Sequence, residues 1–279
     1  MILFDGDVII PFFKKGACRG WIFRFEGRLV IDGATGTMIQ DLGLGDEYFG
    51  GADYRMLSDL LCFSQPEAIK GIHRAFLDAG ACAVETNTFG ASPMRLSEYD
   101  FSGLDLRSFA PNPYGLDLRS LDYQQFAYFL SRLGAEIARE ALAEYRATSQ
   151  YDGRPLFVLG SIGPSNRVLS HTKADLVEST FDAIADNFFH QVCGLLDGGV
   201  DALIYETQQD VLELKAALIG GKAAMREKGR SVPVIAQVTV DQFSRMQIFN
   251  TDIHAALVSI AGMGIDAFGI NCSIGPDLM

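Results

Sequence analysis

The feature of this chain that most constrains its fold is a repeated unit of a short apolar run, a polar tip and a helix. The apolar runs are rich in β-branched residues, as expected for strands that are covered on both faces. The predicted strands occupy residues 29–31, 81–84, 156–159, 202–205, 232–238 and 267–270. The predicted helices occupy residues 66–78, 123–146, 173–196, 211–228 and 252–261. This alternation is typical of parallel βαβ units with right-handed crossovers.

Six such strands predict an α/β fold, most of a (β/α)8 TIM barrel with about six βα units and with strands seven and eight missing. A doubly wound open sheet is the alternative, and it is less favoured because no Gly-x-Gly-x-x-Gly fingerprint follows the first strand. Residues 1–28 are predicted to be an N-terminal extension and residues 29–279 the partial barrel. An insertion near residues 101–120 contains Gly-Leu-Asp-Leu-Arg-Ser twice, and a surface loop is the simpler interpretation, with a partner-docking loop as the alternative.

Composition excludes several classes of function. The formal net charge is -12 and no long run of Lys or Arg occurs, which argues against nucleic-acid binding. No stretch approaches the ~20 apolar residues that span a bilayer. The five cysteines are scattered without a Cys-x-x-Cys pair, which argues against a disulfide framework and favours a reducing compartment. The sequence therefore predicts a cytoplasmic protein that binds neither nucleic acid nor membrane.

The first strand tip reads Asp-Gly-Ala-Thr-Gly-Thr at residues 32–37. Two glycines and small side chains allow backbone N–H groups to converge on an anion. The tip lacks the Gly-Lys-Ser/Thr ending of a phosphate loop, so nucleotide binding is not favoured. Asp32 can accept a hydrogen bond from an ammonium group beside Gly33. The tip therefore fits the amino and carboxylate groups of an amino acid, and a plain tight turn is the alternative.

Three later tips carry ionisable side chains. Glu206 and Glu85 end the fourth and second predicted strands, where a carboxylate is either a ligand contact or a buried structural acceptor. Cys272 ends the sixth strand, where a thiolate can bind zinc or act as a nucleophile. A lone cysteine is otherwise a small core residue. No Gly-x-Ser-x-Gly elbow occurs, so a hydrolase triad is not supported.

Taken together, the tips resemble the homocysteine S-methyltransferase family. The motifs that carry the resemblance are DGATGTMIQ at residues 32–40, ETNTF at 85–89, GSIGP at 160–164, YET at 205–207 and GINCSIGP at 269–276. They occur in the order seen in the family and span roughly residues 29–279. The resemblance is strongest to the N-terminal homocysteine-binding domain of cobalamin-dependent methionine synthases.

The resemblance implies roles for individual residues. It implies that Asp32, Gly33 and Glu206 hold the amino and carboxylate groups of homocysteine. Asn87 and Asn271, which also lie at strand tips, are expected to line the same pocket. The family binds zinc through three cysteine thiolates. Cys272 matches the thiolate after the sixth strand, whereas the adjacent Cys-Cys pair after the eighth strand has no counterpart in this sequence. We therefore expect an incomplete zinc site with Cys272 as the one ligand in this chain.

The implied reaction is transfer of a methyl group to the thiol of homocysteine, which forms methionine. In the resembled enzymes the methyl group comes from methylcobalamin, recharged by methyltetrahydrofolate, on cobalamin- and folate-binding modules that we expect to be absent from residues 29–279. We therefore expect a truncated homocysteine-binding portion that is inactive alone, has unpaired edges on its first and last strands, and has those modules as partners on the same or another chain. The alternatives are a methyltransferase that uses betaine or S-methylmethionine, and a non-catalytic amino-acid-binding module.

Overall fold

The computed structural model describes residues 8–10, 29–109, 113–170 and 179–273. Its strands are β1 (Val8–Ile10), β2 (Ala83–Glu85), β3 (Phe157–Ile162), β4 (Ala202–Gln208), β5 (Val234–Val238) and β6 (Ala267–Ile270). They form one sheet in the order β1-β6-β5-β4-β3-β2. Strands β2 to β6 are parallel, and β1 pairs with β6 in the antiparallel direction. The described residues therefore form an α/β fold around five parallel strands.

The helices follow the predicted alternation. They are α1 (Thr35–Asp41), α2 (Leu61–Ser64), α3 (Pro66–Asp78), α4 (Pro93–Leu96), α5 (Tyr123–Arg146), α6 (Phe181–Gly198), α7 (Val211–Glu227) and α8 (Ile253–Ala261). Short 3-10 helices lie at Asp46–Tyr48, Ala52–Tyr54, Ser58–Leu60, Phe101–Gly103 and Leu118–Ser120. Within these described segments, no helix combines the length and the apolar character that crossing a membrane would need.

Capping residues explain where the long helices begin. Asp122 and Gln125 form a capping box at the start of α5, and the predicted bounds of α3 and α5 are confirmed at both ends. The predictions for α7 and α8 are confirmed to within one residue. The predicted start of α6 at residue 173 is wrong in the described part. The side chain of Thr180 accepts a hydrogen bond from the N–H of Ala183, so the helix begins after Thr180. Residues 171–178 lie outside the described residues.

The two ends of the sheet differ from the prediction. Residues 29–31 form only an isolated parallel bridge between Ile31 and Ala83 rather than a full strand. In the described part of the chain, the backbone hydrogen bonds of this segment go to Cys82 and Ala83, so it gains few ladder hydrogen bonds. At the opposite end, the edge of β6 was expected to be unpaired, but β1 from the predicted N-terminal extension occupies it. The three residues of β1 are Val-Ile-Ile, a β-branched run that favours strand pairing.

The insertion near residues 101–120 is anchored in the core. Leu104 from the first copy of the repeat and Leu118 from the second are both buried in the hydrophobic cluster that contains Phe126 of α5. The Asp and Arg of each copy pair at the surface. The insertion, which the sequence predicted to be a surface loop, thus packs its leucine side chains into the core while its polar side chains face outward. Residues 110–112, between the copies, lie outside the described residues.

The side chains alternate between the two faces of the sheet, and this alternation explains why the apolar core ends in polar strand tips. One face of the sheet packs against α5, α6 and α7. The other face carries a small apolar cluster made of Ile31, Ala83, Leu159, Ala202, Ile204, Ile235 and Ala267. Because side chains on one face of a strand recur every two residues, this inner face continues to Glu85, Ser161, Glu206 and Asn271. The apolar interior therefore ends in a layer of polar side chains at the carboxyl ends of the parallel strands.

Candidate functional site

A cavity of about 420 Å³ opens at the carboxyl ends of the parallel strands. This volume lies in the range of small-molecule sites, roughly 300–1,000 Å³. The predicted site residues that line it are Gly33, Asn87, Glu206, Asn271 and Cys272. The structure thus brings together, around one space, five residues that the sequence spreads over 240 positions (272 minus 33 is 239, counted inclusively).

Asp32, the sixth predicted site residue, lies behind the cavity wall. Its side chain is 3% exposed. Both carboxylate oxygens accept the backbone N–H of Glu85, at 3.0 and 2.9 Å. The carboxylate therefore joins the first strand tip to the tip of β2, and contact with a bound ammonium group stays a prediction.

The turn formed by residues 33–36 follows Asp32 and leads into α1. The first N–H groups of a helix have no acceptor within the helix, and the first turn of α1 lines this wall. A Cβ atom built on Gly36 meets nothing within 4 Å. Packing does not require glycine at position 36, and its absent side chain leaves the wall open. The arrangement suits a small anionic group such as a carboxylate.

Glu206 is the ionisable centre of the wall. It is partly exposed to the cavity, and protein atoms surround it closely enough that burial raises its pKa above the ordinary value of 4.5. Two hydrogen bonds oppose that shift, from the hydroxyl of Ser161 to Oε1 at 2.5 Å and from the amide of Asn271 to Oε2 at 3.3 Å. A cation that enters the cavity would favour the charged carboxylate. Glu206 is therefore placed to accept an ammonium group.

The tips of β4 and β6 adopt unusual backbone conformations. Thr207 has φ of 56° and Cys272 has φ of 64°. Positive φ is uncommon outside glycine and is a clear outlier for a β-branched residue such as threonine. The pairing of β4 with β5 is irregular between Tyr205 and Gln208, the stretch that contains Glu206 and Thr207. Such irregularities are over-represented beside functional sites, where they change the direction of a side chain.

Cys272 is an exposed free thiol at the cavity wall. The sequence left open whether this sulfur packs in the core or faces a site, and the structure places it at the cavity wall. Residues 274–276 of the last motif lie outside the described residues.

A neighbouring segment fixes the loop that follows β2. The amide of Asn87 donates to the carbonyl of Ser58 at 2.9 Å, and the thiol of Cys62 donates to the carbonyl of Asn87 at 3.4 Å. The buried carboxylate of Asp59 accepts the N–H of Gly90 at 2.8 Å. Burial raises the pKa of Asp59 to about 6. Asn87 is therefore presented to the cavity by a loop that is tied to residues 58–62.

Sequence reasoning assigned no role to several residues of the wall. Ser161 was within reach of pattern analysis, because it lies two residues beyond Leu159 on the inner face of β3. Ser58 and Phe89 come from outside the strands, so strand periodicity gives no signal for them. The ring of Phe89 lies against Gly163, where a Cβ atom would come within 2.7 Å of that ring. Glycine at position 163 thus makes room for an aromatic wall.

The side chains at the cavity determine whether it can hold zinc. Among the described residues, no group of three or more His, Cys, Asp or Glu side chains is placed to hold a metal ion. Zinc sites in proteins use three or four side-chain ligands. The described residues alone therefore do not make a zinc site, and the role of Cys272 as a ligand stays a prediction.

Comparison with known sequences identifies the family. The profile of the homocysteine S-methyltransferase family matches residues 29–279. The methionine synthase of Mycobacterium tuberculosis is 36% identical over 250 residues, which are 89% of this chain and 18% of that protein. The methionine synthase of Mycobacterium leprae is 34% identical over 250 residues, with the same shares. This chain thus spans 18% of the length of the curated relatives that it matches.

Comparison with solved structures agrees with the fold. The metallated form of the homocysteine methyltransferase MmuM from Escherichia coli superposes with a TM-score of 0.64 at 22% identity, over 88% of this chain and 75% of that chain. Its apo form gives a TM-score of 0.58 over 88% of this chain and 72% of that chain. At this level of identity the likeness concerns the fold alone. Since the family profile covers nearly the whole chain, this protein belongs to the homocysteine S-methyltransferase family.

Proposed function

We propose that the chain binds homocysteine in the cavity at the strand tips and forms the acceptor portion of an enzyme that methylates its sulfur to give methionine. The observation that carries the proposal is that Glu206 and Cys272 line one cavity, in a chain whose family is defined by homocysteine as methyl acceptor. We also propose that the five parallel strands belong to an incomplete (β/α)8 barrel.

The amino-acid end of homocysteine is assigned to Glu206 and the turn of residues 33–36. The carboxylate of Glu206 accepts the ammonium group, and backbone N–H groups of the turn donate to the substrate carboxylate. Asp32 supports this end from behind through its hydrogen bonds to the backbone of Glu85. Asn87 borders the same space.

The sulfur end is assigned to Cys272. A free thiol has a pKa near ~8.5 and is mostly protonated at neutral pH, whereas the thiolate is the nucleophile. In the methylation, the sulfur gains the methyl group and its proton is lost. We propose that Cys272 contributes one thiolate to a zinc site that the described residues do not complete. The chain alone is therefore expected to bind homocysteine without methylating it.

The methyl donor is proposed from the curated relatives. The two methionine synthases share 34–36% identity with this chain, which supports the methionine synthase branch, with methylcobalamin recharged from methyltetrahydrofolate. The cobalamin- and folate-binding modules would be additional to residues 29–279, on the same or another chain. All four cysteines in the described part of the chain are free, which supports work in a reducing compartment such as the cytoplasm.

Calorimetric titration of the full chain with L-homocysteine tests the proposal. We expect saturable binding that weakens at least tenfold in Glu206→Gln, because the neutral amide cannot pair with the ammonium group. Glu227→Gln is the matched control, since Glu227 is exposed at the end of α7, and it should bind like the parent chain. Absence of saturable binding, or equal affinity in Glu206→Gln, would contradict the proposal.

Cys272→Ala separates the methyl-acceptor site from a non-catalytic amino-acid-binding module. If the sulfur of homocysteine lies at Cys272, this variant should bind homocysteine more weakly. Its binding of a ligand without sulfur, such as L-norvaline, should change little. Unchanged homocysteine binding would favour the binding module.

A further inference from the structure

Asn271 holds two strand tips together. Its side chain is 4% exposed, and the three hydrogen bonds that this side chain makes with described residues all go to the tip of β4. Oδ1 accepts the backbone N–H of Thr207 at 2.9 Å. Nδ2 donates to Oγ1 of Thr207 at 3.1 Å and to Oε2 of Glu206 at 3.3 Å. The amide oxygen and the amide N–H groups of Asn271 thus all form hydrogen bonds with the tip of β4.

This link crosses an intervening strand. In the sheet, β5 lies between β4 and β6, so the backbones joined by Asn271 belong to second neighbours, roughly 9–10 Å apart at the usual ~4.8 Å spacing. Thr239, the residue after β5, bonds to residues on both sides of the link. Its N–H donates to the carbonyl of Gln208 at 3.0 Å, and its hydroxyl donates to the carbonyl of Asn271 at 3.2 Å. Three successive strand tips therefore form one hydrogen-bonded unit.

The link lies between two backbone outliers. Thr207 has positive φ, and its N–H donates to the side-chain amide of Asn271. Cys272 also has positive φ, and it directly follows Asn271 in the sequence. Unfavourable conformations of this kind persist only where the surroundings determine them. Asn271 supplies that constraint for Thr207 directly through its hydrogen bonds. Because Cys272 follows Asn271 in the chain, the position of Asn271 also sets the position of the Cys272 backbone.

We propose that Asn271 is a positioning residue that fixes the separation between the carboxylate of Glu206 and the thiol of Cys272, and thereby selects the substrate by the length between its ammonium group and its sulfur. The selectivity rests on the proposed function, in which those two groups bind the two ends of homocysteine. The sequence placed Asn271 among the substrate contacts, whereas its hydrogen bonds point to a structural link between those contacts.

Cysteine is the informative competitor. It carries the same ammonium, carboxylate and thiol groups as homocysteine and is one methylene shorter. One methylene changes binding in a simple apolar pocket by about 10- to 200-fold. With both ends held at a fixed separation, the shorter molecule cannot reach Glu206 and Cys272 together. If the separation is free to change, the two amino acids become more nearly equivalent.

The test is calorimetric titration of the full chain and its variants with L-homocysteine and L-cysteine. For the parent chain we expect homocysteine to bind at least tenfold more tightly. In Asn271→Ala and Asn271→Asp that ratio should fall below threefold, because the first loses every bond to β4 and the second places a carboxylate against Glu206. Ser273→Ala is the matched control, because its bonds to Gln247 and Val240 do not reach β4, and it should keep the parental ratio. A parental ratio in both Asn271 variants, or an equal loss in Ser273→Ala, would overturn the proposal.

A second readout needs no ligand and separates the positioning role from the proposed function. Hydrogen exchange should be at least fivefold faster at the N–H of Thr207 in Asn271→Ala, while Asn271→Asp retains an acceptor there and should stay close to the parent. Ser273→Ala should leave this N–H unchanged. Failure of the parent chain to bind homocysteine would contradict the proposed function and the selectivity. Unchanged exchange in Asn271→Ala would contradict the positioning role, whatever the binding result.

Discussion

At the residue scale, buried carboxylates hold the loops that surround the cavity. Asp59 is buried and accepts the N–H of Gly90, the residue that follows Phe89 at the cavity wall. Burial raises the pKa of Asp59 from its ordinary 3.8 to about 6. Near neutral pH the folded protein therefore holds an ionised carboxylate in surroundings that favour its neutral form. This residue supports the site at a cost to stability.

Asp59→Asn should stabilise the protein at pH 7.5 but not at pH 4. The raised pKa means that the unfolded chain releases its proton at lower pH than the folded chain. The destabilisation is thus absent below about 3.8, grows as pH rises to about 6, and is complete above that. At ~1.36 kcal/mol per pKa unit, the expected gain at pH 7.5 is on the order of 2–3 kcal/mol. Asparagine keeps an acceptor for the N–H of Gly90.

Urea unfolding at the two pH values measures this effect. Asp53→Asn is the control, because Asp53 is exposed and its replacement should change stability little at either pH. A gain in Asp59→Asn that is equal at pH 4 and pH 7.5 would show that ionisation of Asp59 is not the cause.

The sequence predicted the lining of the cavity best where an ionisable side chain ends a strand. Glu206 and Cys272 follow apolar runs, and strand polarity places both at the same edge of a parallel sheet. Asp32 shows what sequence cannot resolve, because its bond to the backbone of Glu85 depends on how two tips approach each other. The link from Asn271 to β4 is of the same kind, since it depends on three-dimensional proximity across β5.

At the element scale, glycines allow the long helices to pack closely. A Cβ atom on Gly194 of α6 would clash with the backbone carbonyl of Tyr128 in α5 and would lie 3.0 Å from the Cβ atom of Ser131. By contrast, a Cβ atom on Gly71 of α3 would meet nothing within 4 Å. Replacing glycine with alanine is thus expected to have opposite effects on protein stability in the two helices.

Gly194→Ala should destabilise the protein by roughly 1–3 kcal/mol, because the backbones of α5 and α6 must separate. Gly71→Ala should stabilise it by roughly 0.5–1 kcal/mol, because alanine loses less conformational entropy than glycine in a helix. Chemical denaturation of the two variants beside the parent chain measures both values. Destabilisation of equal size in both variants would contradict this account of helix packing.

Elements with clear local signals were predicted well. Pro66 at the start of α3 and the capping box of α5 are encoded by adjacent residues, and both helices match their predictions. The weak points are the ends of the sheet. Residues 29–31 pair with one neighbouring segment, and whether they form a full strand depends on a second strand pairing on their other side. The pairing of β1 with β6 joins segments about 260 residues apart (268 minus 10 is 258). Neither fact is contained in a local sequence pattern.

At the scale of the whole molecule, the described residues form a cavity at the strand tips, and the thiol of Cys272 lies at its wall. It spans 18% of the length of the methionine synthases that it matches. The described residues contain no three-ligand metal group. The proposed function predicts that binding of homocysteine is separable, in this chain, from activation of its sulfur by zinc.

Zinc content tests that separation. The purified full chain should retain well below one equivalent of zinc after dialysis against metal-free buffer, because one thiolate with solvent or a carboxylate binds zinc more weakly than three thiolates. Elemental analysis by mass spectrometry, with protein quantified on the same sample, measures the ratio. One tightly held equivalent per chain would contradict the expectation.

A crystal structure of the full chain with L-homocysteine would show directly whether Glu206 and Cys272 hold the two ends of this amino acid. We expect the ligand to lie in the cavity at the strand tips, with its ammonium group within hydrogen-bond distance of Glu206 and its sulfur directed at Cys272. A ligand bound elsewhere, or one whose sulfur points away from Cys272 while its amino group leaves Glu206 uncontacted, would contradict it.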